Sequence, residues 1–391
     1  MKTLKTINLP TILGFALAAG LVNILPGVAR ADITVGVILS TTGPAASLGK
    51  PAENTVKLWP GSIAGQKLKI ISVNDNSDPT EAAKLASKLI TEDKVDVIVG
   101  PSITPPSIAA VEVAGRNSTP ILALGGGNAI IEPQEGPRKW AFKMAAPEVN
   151  FVEHTLDHMV KDKIKRVAAI AVTTSYGEGF LRAFNAQAPA KGLVISAVEK
   201  YGAQDLGVTA QVVRVMASKP DAVYIFSFGT PAVLPQAELI KRGYTGRIYQ
   251  TQGIANADFL RVGAKSIEGT YVSLEPVMVA EQLPKNNPTK NAGMQYTQKY
   301  EAAYGPGTRS LFGSEAWTAL NWLQATVPVA LEHAKPGTPA FRQALRDALE
   351  NMHEVVSPEG VFTMSPKNHN GIDSRGQVMV KVEDGKWKYI Q

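Results

Sequence analysis

Cysteine is missing from the 391-residue sequence, and histidine occurs only five times. The absence of cysteine excludes disulfide bonds, iron–sulfur clusters, thiolate zinc sites and a cysteine nucleophile. Five histidines also offer little material for a transition-metal centre built from protein ligands alone. Without such cross-links, the fold must be stabilised by burial of its apolar core.

The sequence also has only a small excess of positive charge and few long hydrophobic runs. Charged residues make up 19% of the sequence and hydrophobic residues 45%, which is typical of a globular protein and excludes disorder, collagen and coiled coil. The net charge is +6 without a stripe of lysine and arginine, so nothing predicts binding to nucleic acid. The length predicts about two to three domains.

The first 31 residues have the pattern of a secretory signal peptide. Two lysines precede a mostly apolar stretch over residues 9–25, and Ala29-Arg30-Ala31 forms a small-x-small cleavage site. A transmembrane anchor is the alternative, but a proline and a glycine end a stretch that is already short for a span. We therefore expect cleavage after Ala31 and export of the mature chain to the periplasm.

From Asp32 onwards, short β-branched runs alternate with helical patterns. Asp78 is a plausible N-cap of a helix over residues 78–90, with Pro79 at its first position and Glu81 completing a capping-box pattern. Apolar strands joined by helices predict a parallel sheet that is covered on both faces. The predicted strands of this first series are residues 33–39, 67–73, 95–99 and 120–124.

The pattern restarts after an extended segment over residues 140–147. A second series of strands and helices, over residues 149–250, predicts a second lobe rather than an extension of the first. Long helical patterns follow over residues 291–352, and the chain ends in a β-like tail. A chain that returns in this way predicts several crossings between two lobes.

Motifs for catalysis or cofactor binding are weak. Gly125-Gly126-Gly127-Asn128 follows a predicted strand but does not match G-x-G-x-x-G. His154 and His158 have the i, i+4 spacing that can chelate a metal, yet HTLDH is not H-E-x-x-H, and a solvated helix face is the simpler interpretation. The sequence therefore predicts no metal and no cofactor, and it names no nucleophile or base for an enzyme.

Five short segments, taken in chain order, carry a further signal. They are residues 35–46 with Gly49, 74–79, 95–101, 176–179 and 220–224. Together they resemble the periplasmic branched-chain-amino-acid-binding family, the type I solute receptors of ABC importers. The resemblance covers nearly the whole chain from Ile33 onwards. It is weakest over residues 58–62, where the family usually has a longer helix.

The resemblance implies an α/β fold of two Rossmann-like lobes, with parallel sheets flanked by helices, joined by three hinge crossings. The N-terminal lobe is expected to comprise residues 32–147 plus 276–358, and the C-terminal lobe residues 148–275 plus 359–391. A small ligand is expected in the cleft between them. The implied partner is the membrane permease of an ABC transporter, and the protein is expected to work as a monomer without catalysis.

Ligands of open α/β sheets bind beyond the carboxyl ends of the strands. The loop over residues 100–107 opens a helix, where free N–H groups and the positive dipole end favour an anion. In the family this turn holds the ligand's carboxylate, and Thr104 falls at the hydroxyl position. Simple N-capping by Ser102 or Thr104 is the alternative, and both roles are compatible. The resemblance implies further ligand contacts from Ser47, Leu48, Ser102, Ile103, Gly125, Gly127, Asn128, Tyr176, Phe228 and Gln252.

Two of these positions depart from the family. Gln252 stands where amino-acid-binding relatives place an acid for the ligand's ammonium, and Gly127 where they often place a hydroxyl. A buried ammonium needs acceptors and preferably a negative charge. We therefore expect a carboxylate ligand without an α-amino group, either an aromatic or phenylpropanoid acid or an oxo- or hydroxy-acid. The alternatives are an amino acid, with Glu178 or Glu275 supplying the charge, and a sensing or enzymatic protein on the same fold.

Overall fold

The computed structural model describes residues 1–4, 6 and 32–390. Most of the expected signal peptide, including its cleavage site, lies outside these described residues. Residues 32–390 belong to one compact unit. Within the described part of the chain, every helix is too short or too polar to cross a bilayer.

The first sheet contains the strands of the first predicted series. Its strands are β1 (Ile33–Leu39), β2 (Ser62–Ile63), β3 (Gln66–Asn74), β4 (Val97–Val99), β5 (Ile121–Ala123) and β6 (Ala141–Lys143). They are arranged in the order β2-β3-β1-β4-β5-β6, and all neighbours are parallel except β2 and β3. The helices between them are α1 (Ala46–Val56), α2 (Pro79–Thr91) and α3 (Thr104–Arg116).

The second predicted series forms a second sheet. Its parallel strands are β7 (Arg166–Val172), β8 (Val194–Tyr201), β9 (Ala222–Phe226), β10 (Arg247–Gln250) and β11 (Tyr271–Leu274). The helices that accompany them are α4 (Glu148–Lys161), α5 (Ser175–Gln187), α6 (Thr209–Ala217), α7 (Val233–Lys241) and α8 (Ala257–Gly263). The predicted α/β class with two parallel sheets is therefore confirmed.

The remaining chain returns to both halves of the molecule. It contains α9 (Lys290–Tyr304), α10 (Leu311–His333), α11 (Pro339–Glu350) and the short hairpin strands β12 (Val355–Val356) and β13 (Val361–Phe362). Helix α10 packs on α1, beside the first sheet. The chain then adds β14 (Val378–Glu383) and β15 (Lys386–Ile390) to the second sheet, where β14 lies antiparallel to β11. This path matches the predicted crossings, while the exact lobe boundaries stay a prediction.

Local sequence signals account for the elements that were predicted. The apolar run of β1 is buried from Val35 to Leu39, as expected for a parallel strand covered on both faces. At the start of α2, the Asp78 carboxylate accepts the N–H of Glu81 at 2.8 Å. The second half of the predicted capping box is not formed, because the N–H of Asp78 is donated to the carbonyl of Asp75 instead.

The two sheets share one topology, and this topology positions the site. In the first sheet, β1 lies between β3 and β4, and in the second sheet, β7 lies between β8 and β9. At such a switch point the connections on either side run to opposite faces of the sheet, which leaves a crevice at the carboxyl ends of the strands. The loops after β1, β4, β7 and β9 therefore border the place where a ligand is expected.

Candidate functional site

A cavity lies where the carboxyl-end loops of the two sheets meet. The void between its walls is small, about 20 Å³. Seven residues predicted for the ligand line it, and they come from both sheets: Leu48, Ser102, Ile103, Thr104, Tyr176, Phe228 and Gln252. Six further lining residues were not predicted: Pro105, Gly126, Gly253, Leu311, Phe312 and Glu315.

Two of the predicted ligand contacts lie in the loop over residues 125–128, the glycine loop, and are not part of this wall. The N–H of Gly127 is donated to Thr104 Oγ1 at 3.0 Å, so the threonine side chain stands at this glycine. The side-chain amide of Asn128 is donated to Glu132 Oε1 at 3.2 Å and is thereby engaged. The glycine that reaches the cavity is the middle one, Gly126.

Ser47 and Gly125 are also absent from the cavity wall. Ser47 faces the opposite sheet, since a Cβ built on Gly229 would stand only 2.8 Å from its Oγ. Gly125 is packed too tightly for a side chain, because a Cβ there would meet Ser107 Oγ at 2.8 Å. These two residues belong to the packing around the cavity.

The start of helix α3 differs from both sequence-based expectations. Its N-cap residue is Ile103, and no side chain caps it, so the proposed N-capping by Ser102 or Thr104 is wrong. Of the first three helical positions, only Thr104 offers an N–H, because Pro105 and Pro106 have none. The helix mouth is thus poorer in amide hydrogens than expected, and the side-chain hydroxyls become the main donors.

Both hydroxyls at this helix mouth are oriented by backbone N–H groups. Ser102 Oγ accepts the N–H of Ser40 at 3.1 Å, and Thr104 Oγ1 accepts the N–H of Gly127 at 3.0 Å. Ser102 and Thr104 are buried at 2% and 1% exposure. Each oxygen accepts one backbone N–H, which occupies one of its two lone pairs, and the hydroxyl hydrogen remains free to be donated to a ligand.

Gln252 is oriented by a tyrosine. The hydroxyl of Tyr176 accepts the N–H of Gly253 at 3.3 Å and donates its own hydrogen to Gln252 Oε1 at 3.1 Å. Burial raises the pKa of Tyr176 well above its usual value, so the phenol keeps this hydrogen. The amide oxygen of Gln252 is therefore used, and its NH₂ group is directed to the cavity beside Gly126.

The rest of the wall is largely apolar and aromatic. The rings of Tyr176 and Phe228 meet edge to face, with centroids 6.1 Å apart and an interplanar angle of 88°. Phe312 stands on the first turn of α10, where Ser310 Oγ caps the helix by accepting the N–H of Phe312 at 3.2 Å. Leu48 and Ile103 supply aliphatic surface. Such walls suit a flat apolar group.

Gly126 brings the two halves of the wall into contact. A Cβ built on it would stand 3.2 Å from both Tyr176 Cε2 and Gln252 Nε2. The N–H at the start of α10, on the lining residue Leu311, is donated to the carbonyl of Ala255 at 2.9 Å. The loops of the first and second sheets therefore touch around the cavity.

Neither acid proposed from the sequence as a partner for an ammonium belongs to this wall. Glu178 forms an ion pair with Lys200 at 2.6 Å on the surface. Glu275 is fully buried but does not line the cavity. The acid that does line it is Glu315, on α10. No sequence signal pointed to it, because α10 does not follow a strand of either sheet.

A buried lysine ties the cavity wall to the first crossing between the sheets. Lys143, at the end of β6, donates to the carbonyls of Gly126, Ala145 and Ala146 at 3.1, 2.6 and 3.2 Å. These three bonds use all the hydrogens of an ammonium group. Burial lowers the pKa of Lys143, while nearby glutamates, Glu148 foremost, oppose that shift.

Glu275 predicts a pH dependence of stability. Burial raises the pKa of Glu275 from 4.5 to about 8, and neither carboxyl oxygen has a hydrogen-bond partner among the described residues. The folded protein holds this proton more tightly than the unfolded chain, so stability is lost as the pH rises towards 8. Between about pH 7 and pH 8, above the range of histidine titration, the contribution of Glu275 alone to the free energy of unfolding should fall by about 1 kcal/mol.

Urea denaturation of the wild type and of Glu275→Gln at several pH values measures this effect. Glutamine keeps the size of the side chain but does not titrate. The variant should therefore show a flatter profile between neutral pH and the pKa of about 8. Equal slopes for the two proteins would contradict this protonation behaviour.

The two histidines considered as a metal pair are used in packing. His154 Nδ1 is hydrogen-bonded to Ser273 Oγ at 2.8 Å, and His158 Nδ1 to Tyr249 OH at 3.0 Å. Within residues 1–4, 6 and 32–390, no group of three or more acids and histidines is arranged to hold a metal ion. The histidine pair thus helps to attach α4 to the second sheet.

The family model described as periplasmic binding protein matches residues 32–386. The chain belongs to this family. It is 24% identical to the Leu/Ile/Val-binding protein homolog 3 of Brucella melitensis biotype 1, and the alignment covers 99% of this chain and 98% of that protein. The membership predicted from the sequence, in the type I solute receptors of the branched-chain-amino-acid-binding family, is therefore confirmed.

Solved structures of the family share the fold. An extracellular ligand-binding receptor from Rhodopseudomonas palustris HaA2 is 37% identical, with a TM-score of 0.89, and the match covers 92% of this chain and all of that one. A solute-binding protein of an ABC transporter from Rhodopseudomonas palustris BisB5, in complex with 3,4-dihydroxybenzoic acid, is 22% identical. Its TM-score is 0.77, covering 92% of this chain and 96% of the other.

Proposed function

We propose that this periplasmic binding protein captures a small carboxylate without an α-amino group, either an aromatic acid or an oxo- or hydroxy-acid. The observation that supports this most directly is the set of hydrogen-bond donors in the cavity. Ser102 Oγ and Thr104 Oγ1 each accept a backbone N–H, and Gln252 Oε1 accepts the hydroxyl of Tyr176. Each therefore has a hydrogen to offer.

A carboxylate is complementary to this set, because its two oxygens only accept hydrogen bonds. Hydrogen bonds to an ionised group are also the stronger kind, which suits a ligand buried away from water. An ammonium, by contrast, has only hydrogens to give and would face Gln252 Nε2 donor to donor. The orientation that Tyr176 imposes on Gln252 thus favours an acid over an amino acid.

The aromatic and aliphatic wall supports a flat ligand. Tyr176, Phe228 and Phe312 contribute three rings, and the absence of a side chain at Gly126 lets its loop approach Tyr176 closely. The related protein from Rhodopseudomonas palustris BisB5 binds 3,4-dihydroxybenzoic acid on the same fold. The void in this arrangement is about 20 Å³, so an aromatic carboxylate enters only when the two sheets separate further.

The transport role follows from contacts that span the cleft. A ligand held by residues of both sheets stabilises the closed arrangement, because the open state offers it only one half of the contacts. We infer that an ABC permease recognises the closed form and receives the ligand. In this proposal the protein is exported by a signal peptide cleaved after Ala31, works as a monomer in the periplasm, and carries out no catalysis.

Binding of a branched-chain or other amino acid is the second candidate. The Brucella relative is named a Leu/Ile/Val-binding protein homolog, and the cavity wall of this chain contains one acid, Glu315. In that function an ionised Glu315 would take the place of the family acid, which Gln252 replaces here. The charge state of Glu315 therefore separates the two candidates.

Isothermal titration calorimetry separates them directly. The protein is unfolded and refolded to remove any bound ligand, and then titrated with leucine, benzoate, 3,4-dihydroxybenzoate and 4-methyl-2-oxopentanoate. We expect at least one acid to bind and leucine to bind at least 100-fold more weakly. Micromolar binding of leucine without binding of any of the acids would reject the proposal. Unchanged acid recovered after incubation would argue against an enzyme.

A further inference from the structure

Glu315 is a buried acid in the wall of a cavity that otherwise presents donors. It lies on the first turns of α10, is only 1% exposed, and lines the cavity together with Phe312. Its Oε2 is fully enclosed and has no hydrogen-bond partner among the described residues. An acid in this position has to be neutral, or it needs a cation.

The nearest charged groups do not supply that cation. Glu275 and Glu359 are close enough to interact with Glu315, and both are completely buried. Among the residues that the structure describes, Lys143 is the cation that interacts with Glu315, and its hydrogens are donated to three backbone carbonyls rather than to a carboxylate. Glu315 therefore stands among two like groups and a lysine that is already engaged.

Like carboxyl groups in a common buried environment cannot all ionise, because each negative charge opposes the next. Removal from water acts in the same direction and is the larger influence here. Together, burial and the neighbouring Glu359 and Glu275 raise the pKa of Glu315 well above its usual value, and Lys143 only partly offsets this. The packing around α10 thus favours the protonated form.

We propose that Glu315 is a specificity-determining residue that remains a neutral carboxylic acid and donates a hydrogen bond to an oxygen of the bound ligand. This inference rests on the proposed function and specifies how the cavity selects acids over amino acids. With Glu315 protonated, Ser102, Thr104, Gln252 and Glu315 all present hydrogens. The ligand class is then a carboxylate rich in acceptor oxygens, and a ligand with an ammonium group finds no anion to pair with.

Infrared spectroscopy tests the protonation without any ligand. The wild-type protein at neutral pH should show the carbonyl stretch of a protonated carboxyl group that is missing from Glu315→Gln. The difference between the two spectra isolates Glu315 from Glu275 and Glu359. A difference spectrum that contains only carboxylate bands would overturn the inference, whatever the ligand proves to be.

Titration calorimetry tests the hydrogen bond to the ligand. The probe is the acid among benzoate, 3,4-dihydroxybenzoate and 4-methyl-2-oxopentanoate that the wild type binds most tightly. Glu315→Gln keeps a neutral donor and should bind this acid within about 3-fold of wild type, whereas Glu315→Leu should lose about 10-fold or more. Glu178→Gln, on the surface outside the cavity, is the matched control and should bind as wild type.

The possible outcomes distinguish this inference from the proposed function. A wild type that binds leucine and no acid, and that loses leucine about 100-fold in Glu315→Gln, refutes both. A wild type that binds an acid, with a loss of more than about 10-fold in Glu315→Gln, refutes only the neutral donor. Equal melting temperatures for the wild type and both Glu315 variants establish that the changes in affinity are not caused by unfolding.

Discussion

Replacing Thr104 by valine should lower the affinity for a bound carboxylate by about 10- to 100-fold. Valine has nearly the same shape as threonine but lacks the hydroxyl that faces the cavity. A hydrogen bond to a charged group contributes about 1.5–3 kcal/mol, and each 1.4 kcal/mol corresponds to about a tenfold change in the dissociation constant. Titration calorimetry with the acid that the wild type binds most tightly measures the loss.

The matched control is Thr104→Ser, which keeps the hydroxyl and should bind within a few-fold of wild type. The control is needed because Thr104 Oγ1 also accepts the N–H of Gly127, which valine would leave without its partner. Melting temperatures of both variants report that structural cost separately. If Thr104→Val binds the acid as tightly as wild type does, the hydroxyl does not hold the ligand, and the carboxylate must lie elsewhere in the cavity.

The parts of the fold that were predicted are those whose signals are local. The apolar run of β1 and the cap of α2 at Asp78 are each contained in a few consecutive residues. Helix α1 was not predicted, because Gly49 and Pro51 lower its helix propensity and break the pattern. It forms in the folded protein, where it packs on α10. Tertiary contacts therefore override the local preference there.

The candidate site divides in the same way. The loops that follow the strands were predicted because parallel sheets bring the carboxyl ends of their strands together, and the resemblance to the family then pointed to Thr104 and Tyr176 within them. Phe312 and Glu315 were missed because α10 reaches the cavity through its packing and not by following a strand. The orientation of the Gln252 side chain could not be predicted either, because it depends on a hydrogen bond to a residue 76 positions earlier in the chain.

One feature of the site could have been predicted from the sequence. Pro105 and Pro106 stand at the second and third positions of α3, where an anion-binding helix usually offers N–H groups. Their presence shows directly that this helix mouth has fewer amide donors than a typical one. The shift from amides to the hydroxyls of Ser102 and Thr104 follows from that local chemistry.

The buried charges connect the ligand cavity to the crossings between the two sheets. Lys143 ends the last strand before the first crossing, Glu275 follows β11 at the second, and Glu359 lies in the hairpin before the third. Glu315 stands between this group and the cavity. Since Lys143 also holds the carbonyl of Gly126 in the wall, a change at the crossings is transmitted to the cavity through direct contacts.

Replacing Lys143 by methionine should lower the free energy of unfolding by about 2–5 kcal/mol, because a carbonyl that loses its only donor costs about 1–3 kcal/mol. Methionine fills a similar volume but cannot donate hydrogen bonds. The carbonyls of Gly126 and Ala146 then lose this donor, while that of Ala145 keeps the bond from Asn370 Nδ2 at 2.7 Å. Glu148, the foremost of the glutamates near Lys143, also loses a neighbouring cation.

Urea denaturation followed by circular dichroism measures the loss, and Lys139→Met is the matched control. Lys139 lies four residues earlier on the surface, so the same substitution there should change stability by less than about 0.5 kcal/mol. A Lys143→Met protein within about 1 kcal/mol of wild type would contradict a stabilising role, because the loss of three hydrogen bonds costs more than that. A loss of the expected size identifies Lys143 as the residue that holds the glycine loop of the cavity to the first crossing. Lys143 is then part of the structure on which ligand binding depends.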